Sequence, residues 1–201
     1  MINQKLPVLI TMAAALLIIS GCLSLNRKAP EKNLYSLGAE TEISGTIAEK
    51  LIPLAVKEFE ITPMYTTNSF IYRMGEFRFK TDYYNEFITT PQKMITEAVK
   101  QALFNTRGFY PSSLEAPSLY RLSGKVVRLY GDFRTPGHPL AVMEILINLD
   151  PTGKPDLTDS VSRIFYRKLP IKDQNPENLV MGWNALLKAI VKDFIKELPQ
   201  N

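Results

Sequence analysis

Residues 140–149 read Leu-Ala-Val-Met-Glu-Ile-Leu-Ile-Asn-Leu. Ala141, Met143, Ile145, Ile147 and Leu149 fall on one side of an extended chain, and Val142 and Leu146 add apolar cover to the other. A period of two with apolar residues on both sides marks a central strand. Asp150-Pro151-Thr152-Gly153 opens a turn, and Ser160–Leu169 reads as the returning strand. Working outward, the same period recurs at Leu54–Ile61, Ser69–Arg73, Phe77–Phe87 and Tyr120–Arg128.

Two segments switch to a helical period. The first opens at Thr90-Pro91, where Thr caps and Pro suits the first turn. Met94, Ala98 and Ala102, with Ile95, Val99 and Leu103, make one apolar stripe, and Asn105, Arg107 and Gly108 supply the stop. The second opens at Asn175-Pro176-Glu177 and ends before Pro199. Its apolar face is Leu179, Trp183, Leu186, Leu187, Ile190, Phe194, Ile195 and Leu198; Lys188, Lys192, Lys196 and Glu197 lie opposite. The order strands, helix, strands, helix predicts an α+β domain: two layers, a mainly antiparallel sheet, and both helices on one face.

The amino-terminal segment addresses compartment. Residues 1–21 have the layout of a signal peptide, with Lys5 near the start and a twelve-residue apolar run from Val8 to Ile19. A membrane-spanning helix needs about 20 apolar residues, so cleavage is the better reading. The run exits through Leu17-Ile18-Ile19-Ser20-Gly21-Cys22, the pattern of a bacterial lipoprotein processing site, and Cys22 is the one Cys in the chain. Its thiol is the expected lipidation site, carrying diacylglycerol, with an N-acyl chain on the new terminus. Several acyl chains on one residue anchor a protein firmly, whereas one holds only marginally. Residues 22–33 then read as lipidated Cys and polar tether, and 34–201 as a single domain. Leu23 stands where an Asp would favour inner-membrane retention, which points to the outer membrane with the domain in the periplasm; the periplasmic face of the inner membrane is the alternative.

Composition and motifs narrow the function. The 201 residues carry 24 Lys plus Arg against 20 Asp plus Glu, a net charge of +4. That excess is too small to mark a nucleic-acid binder. One Cys and one His exclude an internal disulfide and a multi-His metal site. No G-x-S-x-G, H-E-x-x-H, C-x-x-C, P-loop or G-x-G-x-x-G occurs. His138 sits in Thr135-Pro136-Gly137-His138-Pro139, where it reads as a turn residue rather than a lone base. Asp150, Asp156 and Asp159 lack EF-hand spacing and read as a hairpin loop. No catalytic residue, metal or non-covalent cofactor is therefore expected. The notable surface candidates are aromatic: Tyr72, Tyr83, Tyr84 and Phe87, either core pairs or a surface that docks a partner. Arg73, Arg78 and Lys80, and Arg121, Lys125 and Arg128, add cations.

Several stretches together resemble the ABC-type transport auxiliary lipoproteins, the family of the lipoprotein in paraquat-inducible transport systems. They are the Cys22 site; Leu34-Tyr35-Ser36-Leu37; Phe70-Ile71-Tyr72-Arg73; Tyr83-Tyr84 followed by Phe87; Pro91, Met94-Ile95 and Leu103; Gly108-Phe109; and Tyr120 to Val126. Members often carry Trp where this chain has Phe87. The resemblance implies a non-enzymatic accessory that works beside an ABC transporter and a mammalian-cell-entry (MCE) type substrate-binding protein. Such systems move lipids or other hydrophobic molecules across the envelope, and some members form homo-oligomers. A periplasmic lipoprotein that itself carries an apolar ligand is the alternative.

Overall fold

The structure is a computed structural model that describes residues 31–38, 52–114, 119–152 and 160–198. Its sheet has nine strands: β1 (Asn33–Tyr35), β2 (Ile52–Val56), β3 (Glu60–Ile61), β4 (Ser69–Arg73), β5 (Phe79–Phe87), β6 (Phe109–Ser112), β7 (Tyr120–Asp132), β8 (Leu140–Pro151) and β9 (Val161–Pro170). Among the described residues two helices, α1 (Pro91–Arg107) and α2 (Pro176–Glu197), complete an α+β fold with an open sheet.

The long ladders are antiparallel: β7 with β8, β8 with β9, and β4 with β5. The sheet is nonetheless mixed. β2, β3 and β4 run parallel to β7 along its other edge, taking Tyr120–Leu122, Lys125–Val126 and Gly131–Asp132 in turn. β6 extends β2 and β1 extends β5, both in parallel. The run expected as one strand over Leu54–Ile61 is split. Phe59 leaves the ladder to pack in the core, and its N–H donates to Thr96 Oγ1 of α1 at 2.9 Å.

Alternation places the core. Leu122, Gly124 and Val126 of β7 oppose Leu149, Ile147 and Ile145 of β8 on the helix-covered face. A register shift between Val126 and Arg128 keeps Leu129 and Gly131 on that face and turns Arg128 to the other. Arg128 there ion-pairs with Glu144 at 3.0 Å and lies over the Tyr166 ring.

The helices end as their sequences direct. Asn175 caps α2 by accepting from Glu177 N–H at 2.8 Å, and Pro stands in the first turn of both helices. Thr90 makes no side-chain cap bond. Gly108 closes α1 at φ 67°, a left-handed conformation that favours glycine. Trp183 of α2 is fully buried against Phe70 (ring centroids 5.1 Å apart) and Phe87 (5.4 Å). Gly182 lets α2 approach β8, since a Cβ there would sit 2.8 Å from Ala141 Cβ.

Candidate functional site

The aromatic candidates lie on the β4–β5 hairpin, which has an interrupted base and a hydrogen-bonded tip. At the base, Ser69 is registered with Glu86 but Ile71 with Thr81. β4 advances two residues there while β5 advances five, so Asp82, Tyr83, Tyr84 and Asn85 bulge out. Asp82 organises the bulge. Its carboxylate accepts from Tyr84 N–H (2.8 Å), Asn85 N–H (3.2 Å), Asn85 Nδ2 (2.8 Å) and Tyr72 Oη (2.6 Å). Burial pushes the Asp82 carboxyl up, but these hydrogen bonds outweigh it and hold the group below its ordinary range. Burial and the bond to Asp82 push the Tyr72 hydroxyl well above its ordinary value, so it stays a donor.

This geometry separates the four aromatic candidates. Tyr83 and Tyr84 are 65% and 47% exposed, their rings edge-on at 5.2 Å. Tyr72 and Phe87 are 8% and 3% exposed. Tyr72 stacks on Phe133 and supports Asp82 from within. Phe87 belongs to the Phe70–Trp183 cluster because the strand's alternation turns it inward. The first two are open to solvent and the second two are not.

The tip holds the residue that sequence reasoning missed. Phe77 is 90% exposed, between β4 and β5. Met74 N–H and Gly75 N–H both donate to Arg78 O, at 2.8 and 3.2 Å. Arg73 Nη2 donates to Glu76 O at 2.9 Å and Arg78 Nη2 to Met74 O at 3.4 Å. Two guanidinium groups thus brace the turn that presents Phe77. The available signal was Gly75-Glu76 between alternating runs, a turn that makes Phe77 a loop residue instead of a strand residue.

Other candidates fall elsewhere. His138 is exposed in its turn, with its N–H bonded to Thr135 O at 3.1 Å. Asp150 accepts from Ser160 Oγ; Asp156 and Asp159 lie outside the described residues, as does Cys22. No cluster of three or more His, Cys, Asp or Glu that could hold a metal occurs among the described residues, and no described helix is long and apolar enough to cross a membrane. A groove of about 640 Å³ runs beside α1, with Leu37, Ile88, Met94 and Ala98 as apolar lining and Lys93 and Glu97 also lining it.

No protein-family model and no curated protein matches the chain. Solved structures do. The crystal structure of protein XCC0632 from Xanthomonas campestris, assigned to DUF330, superposes with a TM-score of 0.67. Identity is 14%, over 81% of this chain and 92% of that one. The crystal structure of an uncharacterized protein superposes at 0.63, with 15% identity over 84% of this chain and 99% of that one. At such identities the likeness is one of fold, and function has to be argued from the site.

Proposed function

We propose that this chain is a lipid-anchored, non-enzymatic docking subunit of the bacterial envelope. It is acylated at Cys22, held at the outer membrane with its domain in the periplasm, and accessory to an ABC transport system moving lipids or other hydrophobic molecules. Its direct partner is an MCE-type substrate-binding protein. The observation that carries the reading is Phe77: an aromatic side chain 90% exposed on a turn braced by Arg73 and Arg78. A rigid exposed aromatic loses little entropy on insertion into a partner's pocket, which is how interface hot spots work. Anchoring raises its effective concentration at the membrane, so a small contact suffices.

The test is co-purification from gently solubilised native membranes. An MCE-type protein or ABC component is recovered with the wild-type chain, and recovery falls about tenfold with Phe77→Ser, as expected for a hot spot. Wild-type protein that brings down neither overturns the proposal. The groove beside α1 favours a second reading, a carrier of an apolar ligand, because Leu37, Met94 and Ala98 line it. Native mass spectrometry showing ligand-free protein alone removes that reading.

A further inference from the structure

Eleven large apolar side chains are exposed among the described residues, and four of them gather where the chain leaves toward Cys22. They are Leu34, Tyr83, Tyr84 and Ile88. Lys32 joins them, its Nζ 4.9 Å from the Tyr83 ring centroid and 2.6 Å from Glu86 Oε1. Leu34 is registered with Glu86, and Ile88 N–H donates to Tyr35 O at 2.8 Å, so the strand pairing holds the two aliphatic residues beside each other.

The geometry points to the lipid headgroup layer as the occupant of this patch. The inference rests on the reading of Cys22 as acylated, and it adds that the domain touches the bilayer as well as being tied to it. Nine residues, Leu23 to Glu31, separate Cys22 from Lys32. Fully extended, the ten steps from Cys22 to Lys32 span at most about 36 Å. The patch at the tether's root is thus kept within reach of the membrane at all times. Its chemistry suits that layer. Tyr rings place an apolar body against acyl chains and a hydroxyl among headgroups. The Lys32 ammonium lies over the Tyr83 ring, where it can also reach lipid phosphate. Glu86 neutralises Lys32, so the contact does not depend on a strongly anionic surface. The Asp82 bonds to Tyr84 N–H and Asn85 N–H fix the bulge that carries both Tyr residues beforehand, which lowers the ordering cost of lying on a surface.

The test uses the full-length acylated chain in vesicles of phosphatidylethanolamine and phosphatidylglycerol. Tyr83→Cys carries a nitroxide label, and Ile164→Cys on exposed β9 is the reference. Acylation of Cys22 leaves the introduced thiol as the single labelling site. Electron paramagnetic resonance then reads collisions with an aqueous nickel chelate. The label at 83 should be several-fold less accessible to the chelate than the label at 164, and correspondingly more accessible to oxygen. Equal accessibility on protein whose intact mass shows acylated Cys22 overturns the inference and leaves the anchor standing. An intact mass with an unmodified Cys22 overturns both together. Shielding at 83 that persists in detergent with a co-purified protein also overturns it, by showing a protein surface.

Discussion

Two margins of the same sheet treat exposure in opposite ways. β9 lies at one margin, ten residues pairing with β8 alone among the described strands. It is guarded by charge. Arg163 donates to Ser162 O and Arg167 to Tyr166 O, at 2.9 and 3.2 Å, while the same guanidinium groups ion-pair with Glu197 and Asp193 of α2. Two main-chain acceptors of the edge strand are thereby occupied, and charged side chains along an edge are a known defence against edge-to-edge association. At the other margin β1 covers only Asn85–Phe87 of β5, and the bulge beside it carries exposed Tyr83 and Tyr84. Arginine side chains cover backbone acceptors at one margin, and aromatic side chains stand exposed at the other.

The largest effect is expected from removing what both margins share. Trp183→Ala empties the core beneath them and should cost about 3–5 kcal/mol in denaturant unfolding. If it costs under about 1 kcal/mol, the two margins do not depend on one core. Next comes the device peculiar to the β5 margin. Asp82→Ala strips the buried Tyr72 hydroxyl of its acceptor and should cost about 1–3 kcal/mol by the same measurement. Tyr72→Phe, which removes the donor instead, should cost less.

The pH dependence sharpens the point. The folded-state pKa of Asp82 lies below its unfolded value, so its contribution is complete above about pH 4 and is lost as pH falls through the folded pKa. The stability gap between wild type and Asp82→Asn should shrink on acidification below about pH 4. Asp132, held low first by its hydrogen bond from Arg134, shifts both proteins equally. A gap unchanged by acidification would remove Asp82 from that role.

The smallest stability effect belongs to the β9 guard. Arg163 and Arg167 are exposed, and each ion pair is worth about 0–1 kcal/mol. The double alanine variant should fold normally yet self-associate in sedimentation velocity. If it stays as monodisperse as the wild type, the arginines do not protect the edge.

The helices and the longest strands were legible because their signals are local. Thr90-Pro91 and Asn175-Pro176 start helices through the geometry of Pro and its preceding residue, and Gly108 stops one through its freedom at positive φ. The alternation in Leu140–Leu149 marks a strand buried on one face and partly covered on the other wherever it pairs. β1 and β6 were not legible. Each is three or four residues long and exists only because β5 or β2 offers it an open edge.

The aromatic candidates show where local reading ends. That Tyr72, Tyr83, Tyr84 and Phe87 lie on two successive strands follows from the sequence alone, as does the chemistry that suits Cys22 to acylation. Which of the four meet solvent was decided by tertiary structure. Strand alternation sends every second side chain to the same face, and a few inserted residues reset which ones those are. Asp82 sets that shift through bonds to residues on two strands, so the exposure of Tyr83 and Tyr84 is a property of the paired hairpin and not of either strand.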